Sequence, residues 1–344
     1  MSQYDAVIVV SFGGPDKPED VLPFLENVVR GKRIPRERLM EVAEHYYHFG
    51  GKSPINEQNL ALIDSLRAEL KKSGPALPVY YGNRNWHPLL PDTLNEMKKD
   101  GVKNALAFFT SGFSCYSGCR QYRENILEAQ KEVGDGAPKI DLLRKFYNHP
   151  GFIEPMASMT RNEIGKLSTE AQGKNRLLFC AHSIPQIMAD HCFYEKQLNE
   201  SSRLIAELAG SEDWELVYQS RSGPPNQPWL EPDICDRIEE LKTEGYKAVT
   251  VIPVGFVSDH MEVLFDLDTE AVEKAAECGM EMARVPTIGT HPEFIAMIGE
   301  LIRERMGLQE EKRALGSLGP SHDVCPANCC MYPRTRPAAA AGRG

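Results

Sequence analysis

Short uninterrupted apolar runs recur along this chain, each followed by a stretch with helical periodicity, and that alternation leaves few folds open. The runs are "AVIVVSF" (6–12), "PVYYG" (78–82), "NALAFFT" (104–110), "RLLFCAH" (176–182), "WELVYQS" (214–220) and "AVTVIPVGF" (248–256). They are continuous rather than alternating, which predicts strands covered on both faces, as in a parallel sheet under helices. Helical patterns fill 18–30, 36–48, 56–73, 92–99, 120–133, 150–167, 194–209, 231–244, 260–278 and 292–306. The pattern is α/β, and it occurs twice, three strands at a time. Two Rossmann-like, doubly wound halves with parallel sheets follow, over 1–145 and 146–310. A cleft between them, at the carboxyl ends of the strands, is the expected ligand site. The last helix could cross back onto the first half. Residues 311–344 lose all periodicity and read as a free tail unless their cysteines tie it down.

Composition narrows the function. The chain has 344 residues, enough for two domains of roughly 100–200 residues each. A net charge of −10 speaks against nucleic acid as the main partner. The start, "MSQYDAVIVVSFGGP", shows no basic leader, and no segment reaches the ~18 apolar residues of a membrane span. The expectation is a cytoplasmic protein with no transmembrane segment, with peripheral contact to a membrane left open. Nine cysteines in a chain of this size do not read as a disulfide framework. Cys325, Cys329 and Cys330 crowd into six residues, which points to metal.

Several stretches carry candidate chemistry. "SFGGP" (11–15) follows the first strand without the spacing of a phosphate loop. It is either a close approach of backbone to ligand or a tight turn, and the turn is favoured. His182 ends a strand, where an open α/β sheet faces its crevice, and an imidazole there can accept a proton or bind metal. In "SDHMEVLFDLDTEAVEK" (258–274), an ideal helix from about 259 puts Asp259, Glu262, Asp266, Glu270 and Glu273 on one stripe about 80° wide. Like charges at i, i+4 cost a few tenths of a kcal/mol per pair. A cation or plain water must offset that, and hard divalent ions prefer such oxygen ligands. Arg30, Lys32, Arg33, Arg36 and Arg38 form a basic cluster suited either to a carboxylate ligand or to solvent. The tail triplet lacks one thiolate for a four-ligand site, and Cys115 or Cys119 could supply it for zinc or an iron–sulfur cluster.

Together these pieces resemble the ferrochelatase family, whose members insert Fe²⁺ into a porphyrin. The likeness spans about 5–310 and rests on "SFGGP", "RGKRIP", "HYYHFGGKSPIN" (45–56), "FCAHSIP", "YQSRSGPPNQPWLEPD" (218–233) and "VIPVGFVSDHMEVLFDLDTE". It implies a chelatase fold of two Rossmann-like halves with the porphyrin between them. The family's metal-and-proton histidine, in S-A-H-S-x-P, corresponds to His182, with Cys180 where the first Ser stands. The essential glutamate of D-H-x-E-V-L corresponds to Glu262, and the acidic row behind it to Asp266 and Glu270. These four are the expected metal-handling residues, with His182 and Glu262 catalytic. Ser53 corresponds to a propionate contact, and Arg30, Tyr46 and Tyr122 to further porphyrin positions. Phe12 stands where some coproporphyrin-type relatives have an iron-binding Tyr, so no axial ligand is expected from that side. Many members also hold a [2Fe–2S] cluster, which implies Cys115, Cys325, Cys329 and Cys330 here, with Cys119 competing for the internal place.

The resemblance implies a lyase of haem biosynthesis that takes Fe²⁺ as substrate. The basic cluster and the polar loop "YSGCRQYREN" (116–125) suit the four propionates of coproporphyrin III better than the two of protoporphyrin IX, which is the alternative. A chelatase for another metal and a non-catalytic haem-binding module are the rivals. Whether His182 is the proton acceptor or the first metal ligand stays open, as does the direction of traffic along the acids. A haem acceptor or the preceding enzyme of the pathway is a conceivable partner, and monomer and homodimer are both compatible.

Overall fold

The computed structural model describes residues 4–31 and 34–332; Lys32 and Arg33 of the basic cluster and the end of the tail, 333–344, lie outside the described residues. In the first half, β1 (Ala6–Ser11) leads to α1 (Val21–Val28), α2 (Arg36–His48) and α3 (Ile55–Ser73). Then come β2 (Val79–Asn83), α4 (Leu90–Lys99), β3 (Asn104–Phe109), α5 (Gln121–Val133) and β4 (Lys139–Leu142). The second half runs α6 (Pro150–Ile164), α7 (Thr169–Gln172), β5 (Asn175–His182), α8 (Gln186–Ala189), α9 (Tyr194–Ala209), β6 (Trp214–Gln219) and α10 (Ile234–Glu244). It closes with β7 (Ala248–Ile252), α11 (Met261–Phe265), α12 (Val272–Glu277), β8 (Glu281–Arg284) and α13 (Pro292–Arg305).

Each half carries a four-stranded parallel sheet, in the orders β2-β1-β3-β4 and β6-β5-β7-β8. The two orders are the same, so the chain reverses direction beside β1 in one sheet and beside β5 in the other. The crevice of a doubly wound sheet opens at that reversal, outside the carboxyl ends of the strands. The loops after β1, β3, β5 and β7 therefore face it. β1 and β7 are buried along their whole length, as their unbroken apolar runs require. The edge strands β4 ("KIDL") and β8 ("EMAR") were not expected: they are four residues long and interleave polar side chains, because one side of each meets solvent.

Local chemistry sets the ends of the helices. The Asp233 carboxylate caps α10 by accepting the Cys235 N–H at 2.8 Å, and Gly245, at φ 92°, ends that helix in the left-handed region. One apolar core runs through both halves, joining Val9, Leu106 and Phe108 of the first to Leu177, Phe179 and Phe294 of the second. α13 packs on α3 and α6. Its Phe294 sits within 6.3 Å of the rings of Phe108, Phe146 and Phe152.

The tail is not free where it is described. The Leu315 N–H donates to the Asn148 carbonyl at 2.8 Å, and the Asn148 side-chain amide donates back to the carbonyls of Leu315 and Gly319. Arg144 donates to the Arg313 carbonyl at 2.9 Å. The segment is aperiodic because it borrows its hydrogen bonds from the crossover between the halves instead of forming its own.

Candidate active site

His182 is the last residue of β5, and Glu262 lies in the first turn of α11, beyond the loop that follows β7. Parallel neighbours in the sheet bring those two strand ends together. The His182 Nδ1–H donates to the Ser183 carbonyl at 2.5 Å, which leaves the lone pair on Nε2. That nitrogen lies 3.7 Å from Glu262 Oε2. The separation is too long for a strong hydrogen bond, but two metal–ligand bonds of about 2.1 Å could bridge it. Both side chains reach solvent, at 34% and 51% exposure. A third group was not singled out from sequence: His260 Nδ1 lies 3.9 Å from the same Glu262 oxygen. Burial holds its imidazole below the usual histidine range. Glu262 therefore stands between two imidazoles.

The acidic stripe is shorter than an ideal helix implies. The helix starts only at Met261, so Asp259 precedes it and leaves the row. Asp259 is held by Arg284 at 2.5 Å and exchanges hydrogen bonds with Gln58 of α3. Arg284 also takes Asp268 at 3.1 Å, so these two acids are structural. Residues Asp266–Ala271 form a π-turn, whose extra residue re-registers the face. Asp266 is partly buried behind Glu262; it accepts from the Ser220 hydroxyl and, at 3.1 Å, from Gln219 Nε2. Burial, then the neighbouring Glu262 and Glu270, push its carboxyl up to about 7 against the donors' pull. Ser220, at φ 61°, is one of two described non-glycine residues in the left-handed region, and its strained backbone aims the hydroxyl at Asp266. Burial, Asp233 and Glu273 raise the Glu270 carboxyl. The row thus reads Glu262, Asp266, Glu270, with Asp233 behind it, while Glu273 faces solvent.

The opposing wall comes from the first half. Tyr46 is buried against Phe24 with ring centroids 5.8 Å apart, and Glu262 bears on its phenol electrostatically. The neighbouring His45 stacks on Phe265 at 3.9 Å, so α2 and α11 meet face to face across the halves. Tyr122 is buried under the Arg84 guanidinium at 4.5 Å, and the same cation lies 5.7 Å over Phe12. Arg30 is exposed and donates to Asn27. Ser53 is 2% exposed beneath the 12–15 loop: a Cβ on Gly14 would come 2.7 Å from its own Cβ. Gly14 of "SFGGP" serves that packing, in line with the favoured turn reading, and Ser53 is buried beneath it in this structure.

Comparison with known proteins fits this geometry. The Ferrochelatase family model matches residues 4–306. The chain belongs to the ferrochelatase family. It is 57% identical over 341 residues to a ferrochelatase of Rhodopirellula baltica, covering 99% of this chain and 97% of that one. It is 50% identical over 361 residues to the coproporphyrin III ferrochelatase of Streptomyces coelicolor, covering 98% and 96%. Among solved structures, SirB from Bacillus subtilis with Fe³⁺ shares the fold, with a TM-score of 0.54 at 12% identity over 90% of this chain and 98% of that one. The family's chelatase fold is therefore the fold seen here.

The cysteines of this ferrochelatase-family chain gather differently from the expected set. Cys115 is the N-cap of a π-turn at Tyr116–Arg120, and its sulfur accepts the Gly118 N–H at 3.1 Å, within its own loop. Cys119, on the following turn, is hydrogen-bonded to Cys325 of the tail. That bond and the nearby Lys145, Arg123 and His322 bring its thiol down to about 6, against the effect of burial. Cys329 and Cys330 sulfurs lie 3.6 Å apart, and Arg120 donates to the carbonyls of Ala327 and Cys329. Of the two candidates for the internal place, Cys119 is the one hydrogen-bonded to a tail thiol in this structure. Four thiols around a cationic surround are a donor set that an iron–sulfur cluster fits. Among the described residues, no helix is long and apolar enough to cross a membrane.

Proposed function

We propose that this chain inserts Fe²⁺ into coproporphyrin III, with His182 and Glu262 at the reacting centre. The observation that carries the reading is the free Nε2 lone pair of His182, 3.7 Å from Glu262, at the mouth of the inter-sheet crevice. A metal-free porphyrin carries two pyrrole protons, and each Fe²⁺ that enters must release both. His182 Nε2 accepts a pyrrole proton. Glu262, between His182 and His260, takes Fe²⁺ and passes it to the ring. Once the iron has left, the Glu262 carboxylate is free to receive the proton from His182, whose Nε2 then accepts the second pyrrole proton and passes it on by the same route. Asp266, poised near neutrality, then accepts and releases it toward Glu270 and Asp233, so the row carries protons outward. A metal channel would favour carboxylates that stay ionised, which Asp266 at about 7 does not. Partly exposed Phe12, backed by the buried rings of Phe24 and Tyr46, supplies an aromatic face for the macrocycle, and Arg30 and Arg84, the latter seated over buried Tyr122, supply cations for its propionates.

Coproporphyrin III is favoured over protoporphyrin IX by the named activity of the Streptomyces relative and by these cations. On the tail, Cys325, Cys329 and Cys330 would hold a [2Fe–2S] cluster together with Cys119, which would tie the tail to the π-turn before α5 in a redox-sensitive way. His182→Ala tests the assignment: iron insertion should fall by about 10³-fold while porphyrin binding, read by fluorescence quenching, stays within about threefold. Full activity in the variant would overturn it.

A further inference from the structure

Five soft donors, not four, meet where the tail returns to the fold. The ligand atoms of His322, Cys325 and Cys329 all lie within 4.8 Å of one another, and Cys119 touches Cys325. We propose that the tail also forms a mononuclear tetrahedral site for a soft divalent cation of the Zn²⁺ class, with His322, Cys325, Cys329 and Cys119 as ligands and Cys330 outside it. The inference rests on reading the tail cysteines as a metal site, but not on cluster assembly. A tetrahedral ion with bonds of about 2.0–2.3 Å needs its ligand atoms roughly 3.5–3.8 Å apart, so the three tail groups need only small shifts to close on it.

The fourth ligand is decided by neighbours. Cys119 interacts with both Cys325 and His322, whereas Cys330 interacts with Cys329, Cys119 and Cys192. Cys330 is 4% exposed, with φ at 52° and its sulfur 3.6 Å from that of Cys329, and it lies outside the group formed by His322, Cys325 and Cys329. A two-iron cluster spreads four thiolates over two ions, whereas a single ion gathers its ligands about one point. The same loop can do either by exchanging Cys330 for His322. The "HDVCPANC" spacing places the imidazole and two thiols on one short loop, as structural zinc sites do. Three thiolates and a neutral imidazole leave a site of charge −1 around M²⁺, which Lys145 and Arg123 offset. The protons displaced from the thiols go to solvent on binding.

The test uses the full chain, purified metal-free under anaerobic conditions and titrated with Co²⁺. Thiolate-to-cobalt charge-transfer bands report this site and cannot arise at His182 or Glu262. Cys330→Ala should keep the bands, with Kd within about threefold of the unmodified chain, and Zn²⁺ should displace the cobalt. His322→Ala should weaken binding by about tenfold or more and change the band intensities. Absence of thiolate bands in the unmodified chain, their loss in Cys330→Ala, or an unchanged titration in His322→Ala would overturn the proposal. Parallel reconstitution with iron and sulfide separates the two readings: Cys330→Ala should then fail to form a cluster and His322→Ala should form one. If no chain assembles a cluster while the cobalt results hold, the cluster reading falls and the mononuclear site stands.

Discussion

At the scale of single residues, His182 and Glu262 were legible because each sits at the end of an apolar strand or just beyond one, where a parallel sheet opens its crevice. His260 and Gln219 were not, since their importance depends on which strand lies beside β5 and nothing in their own neighbourhood marks it. Cys115 and Cys119 were both left open from sequence because a π-turn, invisible to composition, decides which of the two faces the tail. The titration of Asp266 gives a sharp prediction. Its folded carboxyl is raised from 3.8 to about 7, so it holds a proton at mildly acid pH and becomes an acceptor only as pH rises through 7. kcat/KM for iron insertion should therefore climb through a limb centred near 7. Asp266→Asn should lack that limb and gain thermal stability at pH 8, where the buried charge of the native residue is a cost. A limb that persists in the variant would remove Asp266 from the proton route.

At the scale of elements, the runs that became β1, β2, β3, β5, β6 and β7 were readable because strands laid under helices carry continuous apolar sequence. β4 and β8 were not, because an exposed edge lets polar residues interleave. The idealised wheel put Asp259 on the acidic stripe because a 100° step assumes a helix that in fact starts two residues later. The start of α6 carries its own pH dependence. His149, fully buried, accepts the Gly151 N–H on Nδ1 at 3.0 Å, while its Nε2 lies 3.4 Å from a Glu300 oxygen without a hydrogen bond. Burial, with the nearby Arg144 and Arg313, lowers its pKa from 6.5 to about 3. The unfolded chain takes a proton at about 6.5 while the folded one refuses it, so this contribution is intact above 6.5 and lost as pH falls toward 3. At pH 5 the loss is about 2 kcal/mol. His149→Asn, which can still cap the helix, should reduce the drop in urea midpoint between pH 7 and pH 5; an undiminished drop would contradict the assignment.

At the scale of the whole molecule, the twofold repeat of strands announced two similar halves, and the matching sheet orders show the same topology in each. The ties between the halves were less legible, because they are made by side chains far apart in sequence. The chief one is a buried ion pair: Arg144, on the crossover, grips Glu304 of α13 through two hydrogen bonds of 2.7 and 3.0 Å, with both side chains 1% exposed. Removing one partner leaves a buried charge unpaired. Glu304→Gln should cost about 3–5 kcal/mol, and Arg144→Met combined with Glu304→Leu should cost much less, as read by denaturant unfolding. Equal losses for the single and the double variant would show that the pair does not join the halves. The central claim is tested most directly by one assay: anaerobic Fe²⁺ insertion followed in parallel with coproporphyrin III and protoporphyrin IX. The account predicts a kcat/KM at least about tenfold higher for coproporphyrin III, with both activities abolished by His182→Ala. Equal or faster turnover of protoporphyrin IX, or insertion that survives without the His182 imidazole, would contradict it.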